Sequence, residues 1–198
     1  MIQFKKISNE SPYMMFKEFY NLAKINNQKN IEAICISSYS SKKNEVSSRF
    51  VNLKFIEDKK FIFFSNYDSP KAKDFAMHKQ ISVAIHWETI NLQIRMKAFI
   101  EKCSKKYNDN YFKKRSKSKN ALAISSNQSR KVDSYEVVKK KYRKVLIEND
   151  LTRCPDNWGG YVFKPFYFEF WKGNPSRINQ REIFELNNNN WIKSFLEP

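Results

Sequence analysis

Hydrophobic and polar positions follow two periods along this chain. Pro12, Phe16, Phe19, Tyr20 and Ala23 recur at helical spacing, with the proline suited to a first turn, and predict a helix over 12–26. IEAICISSY alternates and predicts a strand over 31–39. The runs 46–56 and 60–66 carry Phe50, Leu53, Phe55 and the stretch Phe61 to Phe64; they predict a hairpin across Glu57-Asp58-Lys59. Ser69-Pro70 reads as the N-cap and first turn of a short helix reaching about Lys79. ISVAIHW, 81–87, is a buried strand. Over 91–103, Leu92, Ile94, Met96, Ala98 and Ile100 face one way; Gln93, Arg95, Lys97 and Phe99 face the other.

The second half changes character. Residues 104–115 read as a basic helix and 118–130 as a short helix and loop. Val137, Val138, Tyr142, Val145 and Leu146 form the apolar stripe of a helix over 133–149. Strands over 158–164, 166–172, 177–186 and 190–196 close the chain. No repeat or linker divides it. The prediction is one mainly β (α+β) domain over 1–198, a closed or split antiparallel barrel with short peripheral helices.

Composition narrows the function. The apolar share is 41% and the aromatic share 16%, enough for a core although 37 Lys and Arg against 20 Asp and Glu leave a net charge of +17. Gly159, Gly160 and Gly173 are the only glycines, which excludes a dinucleotide fingerprint and a P-loop. No apolar run approaches the length of a membrane span. Met1 to Lys6 lacks an apolar signal core, so a cytoplasmic location is expected. Cys35, Cys103, Cys154, His78 and His86 are too scattered for a zinc site, and no metal is expected. The positive charge is open to three readings: nucleic acid, a small phosphorylated ligand, or a solvated surface.

Several polar groups interrupt apolar strands. Arg49 and Lys54 flank Phe50, Val51 and Leu53; Ser65 ends the next strand; Lys71 follows a helix start. Amides at a helix N-terminus beside an ammonium suit a phosphate. Gln93 offers an amide from the polar face of its strand, and Gln128-Ser129 offers further donors. Tyr111 and Arg115 are four apart and share a helix face, where phenol and guanidinium would grip a second phosphate. Trp171 ends FEFW, and Arg177 and Arg181 would point to one side if their segment were a strand. Each signal alone also fits an ordinary cap, a solvated face or a snorkelling cation.

Their order along the chain is more informative. SPYMMFKEFYNLA (11–23), SRFVNLK (48–54), FIFFSNYDSPKA (61–72), NLQIRMKA (91–98), YFKKR (111–115), SSNQS (125–129), WGGYVFKPFYFEFWKG (158–173) and RINQR (177–181) with the closing WIKSFLEP resemble, block by block, the pyridoxamine (pyridoxine) 5′-phosphate oxidases. The resemblance spans almost the whole chain. It implies a homodimeric split β-barrel with FMN at the interface and no nucleic acid or membrane partner. The implied FMN positions are Arg49, Phe50, Val51, Asn52, Leu53, Lys54, Phe64, Ser65, Lys71, Gln93, Gln128, Ser129, Trp171 and Arg181. The implied substrate, a small phosphorylated aromatic, would meet Lys54, Tyr111, Arg115, Lys119 and Arg177, with Arg177 and Asn179 at the reacting end.

The implied reaction is oxidation of pyridoxamine or pyridoxine 5′-phosphate to pyridoxal 5′-phosphate, with oxygen reduced to hydrogen peroxide. The chain departs from the family pattern at four places. Asn179 stands for a substrate-contacting His, and an amide cannot exchange a proton near neutral pH. Pro70 stands for a basic residue at the FMN phosphate, and Lys119 for a Ser at the substrate phosphate. The chain is also read as starting just before the first helix, without the family's covering N-terminal extension. Two alternatives therefore stay open: an FMN oxidase of another substrate, as in phenazine biosynthesis, and a non-catalytic flavin or pyridoxal-phosphate binder.

Overall fold

The computed structural model describes all 198 residues. Six strands close a barrel: β2 (Ala33–Ser40), β3 (Glu45–Glu57), β4 (Lys60–Asn66), β5 (Gln80–Trp87), β6 (Leu92–Lys102) and β7 (Trp158–Lys172). Pairing runs β3-β2-β5-β6-β7 and returns through β4, which pairs β7 on one side and β3 on the other. Closure leaves these strands no free edge. β1 (Gln3–Lys5) adds in parallel to the end of β3, while β8 (Gln180–Asn187) and β9 (Asn190–Leu196) extend from β7 as a hairpin.

The alternating pattern of β6 is realised in full. Leu92, Ile94, Met96, Ala98 and Ile100 are buried, while the intervening residues face outward. α1 (Ser11–Ile25) packs its stripe on this interior: Phe16 meets Phe61 and Trp87 edge-on, at 5.3 and 5.6 Å between ring centres. The β3–β4 hairpin turns on Asp58 and Lys59 alone, with Asp58 at φ 54°.

Four expectations need correction. β7 is one strand across 158–172, not two. Pro165, which has no N–H to donate, is accommodated by a register shift opposite Lys97 and Ala98, so pairing continues past it. β8 begins only at Gln180; Arg177 lies in the preceding loop at φ 64°, so Arg177 and Arg181 do not share a strand face. The Ser69 side chain does not cap α2 (Pro70–Met77): its hydroxyl donates to the Asn66 carbonyl at 2.8 Å instead. The stripe of α5 (Tyr135–Glu148) is only half-covered, by α4 (Lys117–Ser125), and no α5 residue is buried. β1 had no usable signal, because three residues carry no period.

Candidate active site

A cavity of about 790 Å³ opens between β3, β4, the start of α2, and the α3–α4 connection, with α3 spanning Lys105–Lys113. It is lined by Arg49, Phe50, Val51, Asn52, Lys54, Phe64, Ser65, Lys71, Tyr111, Arg115, Lys119, Gln128 and Ser129, all picked out from the sequence. Met1, Gln3, Pro70 and Trp158 complete the wall. Five of these residues are cationic and none is acidic.

Two of the cations are held where water is scarce. Lys71 is 6% exposed, and its Nζ donates to Ser69 Oγ at 3.2 Å. Burial, and then the neighbouring Arg49, push its ammonium down to about 8. Arg49 Nη1 donates to Ser38 Oγ at 2.7 Å, and Ser38 donates in turn to Asp74 at 2.8 Å. Asp74 thus reaches Arg49 only through a hydroxyl. Burial lowers the Arg49 pKa, and Asp74 partly offsets this. The pair lacks a direct counter-ion, and a bound anion would supply one.

A second cationic group is built on aromatic rings. Phe64 stacks on Tyr111 with centres 3.9 Å apart and on Trp158 at 5.2 Å. The Arg115 guanidinium lies 4.2 Å above the Trp158 ring. Its Nη2 donates to the Lys119 carbonyl at 3.4 Å, while its Nη1 is buried without a partner. Burial lowers the Arg115 pKa and raises that of Tyr111. An orphaned guanidinium nitrogen lining an acid-free cavity is a donor set that fits a phosphate oxygen.

Donors from other segments meet at the same wall. Gln128 Oε1 accepts from Ser65 Oγ and from the Asn66 N–H, both at 3.3 Å, which ties the loop after α4 to the end of β4. Ser129 follows at φ 67°.

Six sequence-selected residues lie elsewhere. Leu53 lines no part of the cavity because its side chain is fully buried in the core. Gln93, Trp171 and Arg181 form a row across three strands, since Gln93 pairs with Trp171 and Trp171 with Arg181. Arg181 is already engaged: its Nε and Nη2 meet Glu169 Oε1, each at 2.9 Å. Arg177 and Asn179 sit in the loop between β7 and β8. Trp158, Met1 and Gln3 were missed. Trp158 stood in the WGG block without an assigned role, and nothing in the sequence marks Gln3.

Comparison with known proteins identifies the family and the fold. A model of the family described as "Pyridoxamine 5′-phosphate oxidase" matches residues 23–148. A second, for the "Pyridoxine 5′-phosphate oxidase C-terminal dimerisation region", matches 158–198. A pyridoxine/pyridoxamine 5′-phosphate oxidase of Christiangramia forsetii is 31% identical over 194 residues, 96% of this chain and 89% of its own. The chain belongs to the pyridoxine/pyridoxamine 5′-phosphate oxidase family.

A Rhodopirellula baltica family member is 32% identical over 81% of this chain and 75% of its own. Among solved structures, PhzG from Burkholderia lata, in complex with tetrahydrophenazine-1-carboxylic acid, superposes with a TM-score of 0.90. It is 22% identical and covers 96% of this chain and 93% of its own, a likeness of fold. A pyridoxamine 5′-phosphate oxidase-related, FMN-binding protein from Nostoc punctiforme has a TM-score of 0.77 at 11% identity, over 96% of this chain and 99% of its own. This oxidase-family chain thus has the family's barrel and its dimerisation region. No helix in it is long and apolar enough to cross a membrane.

Proposed function

We propose that this chain is an FMN-dependent oxidase of pyridoxamine and pyridoxine 5′-phosphates, with pyridoxal 5′-phosphate and hydrogen peroxide as products and oxygen as acceptor. The observation that carries this reading is the acid-free cavity lined by five cations, with Arg49 beside Lys71 at one place and Arg115 on the aromatic wall at another. A flavin phosphate and a substrate phosphate account for both. FMN, when bound, supplies the hydride acceptor and the route of electrons to oxygen.

The chain's own residues then hold and orient. Lys71 and Arg49 take the cofactor phosphate, with Ser65, Gln128 and Ser129 adding hydrogen-bonding groups. Lys54, Tyr111, Arg115 and Lys119 take the substrate phosphate, which satisfies the orphaned Arg115 Nη1. The stacked wall of Phe64, Tyr111 and Trp158 excludes water from one side of that phosphate. Arg177, in the loop between Trp171 and Arg181, would serve with them the site of a partner protomer, where it sits over the reacting end and fixes the orientation of the amine or alcohol.

A second copy of the chain belongs to the site in this reading. Phe64 in the cavity pairs with Gly160 of β7, whereas Trp171 lies eleven residues further along that strand. That separation is about 35 Å of strand, more than one flavin spans. Gln93, Trp171 and Arg181 therefore reach the FMN of the partner protomer rather than their own. Phe50 and Phe99, 75% and 58% exposed on the barrel exterior, give such a partner an apolar surface to cover. The family's dimerisation region over 158–198 supports a homodimer.

The test is direct. The purified protein should be a yellow dimer that releases peroxide with pyridoxamine or pyridoxine 5′-phosphate. Bound FMN without turnover of either phosphate would move the reading to an oxidase of another substrate. A protein that takes up no FMN would end both.

A further inference from the structure

We propose that Asn179 is a positioning residue that latches the loop carrying Arg177. The proposal rests on the reading of Arg177 as a substrate contact. Lys172 and Gln180 pair across β7 and β8, so residues 173–179 form the loop between them. Its base is pinned: the Gly173 N–H donates to the Asn91 carbonyl at 3.0 Å. A side chain at Gly173 would collide with that of Asn91.

Within the loop, nearly every bond runs through two asparagines. Asn174 Oδ1 accepts from the Ser176 N–H at 3.0 Å and its hydroxyl at 2.8 Å. The Arg177 N–H donates to the Asn174 carbonyl at 2.9 Å, and the Asn179 N–H to the Arg177 carbonyl at 2.9 Å. One donor then remains at the loop's start, the Asn174 N–H, and Asn179 Oδ1 accepts it at 3.1 Å. That bond joins the loop's two ends.

The latch matters because of what it holds. Arg177 sits at φ 64°, a left-handed conformation that disfavours a residue with a β-carbon and persists only where its surroundings fix it. Arg177 is exposed, and its guanidinium makes no hydrogen bond or ion pair within the chain, so a ligand can reach it. Asn179 spends its oxygen on the loop. Its contribution to the reaction is the aim of the Arg177 side chain, and it carries no proton.

The test combines amide exchange with a double-mutant cycle on the FMN-loaded protein. In Asn179→Ala, the Asn174 amide should exchange about five- to tenfold faster, the worth of one net hydrogen bond. Asn179→Asp, which keeps the acceptor, should restore slow exchange. The KM for pyridoxamine 5′-phosphate should rise by a similar factor in Asn179→Ala, with the flavin spectrum unchanged. That rise should vanish when Arg177→Ala is already present. An equal rise without Arg177 would show that Asn179 acts on the substrate itself and overturn the proposal. Unchanged Asn174 exchange in Asn179→Ala would overturn it as well. A wild-type protein inactive on both phosphates would instead refute the functional reading, and the exchange experiment would still decide the latch.

Discussion

Replacing Glu169 tests how the row of Gln93, Trp171 and Arg181 is held. Glu169 is 1% exposed, and its carboxylate makes three hydrogen bonds and one further ion-pair contact. Oε1 takes Nε and Nη2 of Arg181 at 2.9 Å each; Oε2 takes Arg95 Nη1 at 3.0 Å and the Tyr167 hydroxyl at 3.1 Å. Removing one partner of a buried ion pair costs about 3–5 kcal/mol. Here the guanidiniums keep some water, since the Arg95 and Arg181 side chains are 51% and 23% exposed, so the lower end applies. Glu169→Ala should therefore lose about 3 kcal/mol, and a chain of this size shifts by about 2–4 °C per kcal/mol. The expected fall in Tm is roughly 6–12 °C. Glu169→Gln keeps the shape and an acceptor oxygen but not the charge, and should lie between. Thermal unfolding by circular dichroism, at one protein concentration and without added FMN, gives the number. A Tm within a degree of wild type for both variants would refute the claim that this carboxylate organises the two arginines.

Four further outcomes follow from the cavity and its frame. Lys71→Met removes a charge-assisted bond worth about 1.5–3 kcal/mol, so FMN titration should show roughly 10- to 100-fold weaker binding. With the Lys71 ammonium of the free protein pushed down to about 8, wild-type FMN affinity should fall as pH rises through that value, and the variant should lose this fall. Arg115→Lys loses the flat guanidinium above Trp158 and should raise KM for the phosphorylated substrate by about tenfold or more, while unphosphorylated pyridoxamine discriminates little between the two enzymes. Gly159→Ala places a methyl against Tyr67 Oη and Asn108 Nδ2, which bond each other at 3.0 Å; overpacking of about 1–3 kcal/mol should lower Tm by several degrees in calorimetry.

The barrel was legible because its strands advertise themselves. β6 alternates without a break, and the β3–β4 hairpin is bounded by a turn that structure and sequence place within a residue. The cavity-lining side chains were legible for a different reason: each was ambiguous alone, but their order along the chain matched the blocks of a known family. What failed was local and non-periodic. Pro165 looked like a strand end because a proline breaks a ladder, yet a register shift in the neighbouring pairing absorbs it. The segment after Gly173 looked extended, but Asn174, Ser176 and Asn179 turn it into a hydrogen-bonded loop. Glu169 carried no signal, since one acidic residue in a Phe-rich strand reads equally as an outward-facing charge. Only the meeting of β6, β7 and β8 brings Arg95 and Arg181 to it. Such cross-strand partners are set by topology rather than by spacing along the chain.

The charge of +17 is best understood by asking which cations are dry. Lys71 is buried, and Arg115 has a buried nitrogen with no partner. For such groups the dielectric is low, and a phosphate gains far more from them than from a solvated lysine. Lys139, Lys140 and Lys141 lie on α5, exposed to water, where salt screens an ion beyond about 8 Å. They can draw anionic ligands toward the surface, but they distinguish none of them. Selectivity belongs to the few cations that the fold has taken out of water and left without a carboxylate. By that criterion the two phosphates of the proposed reaction would be held at Lys71 and Arg115, and the helical lysine runs would contribute solubility and approach.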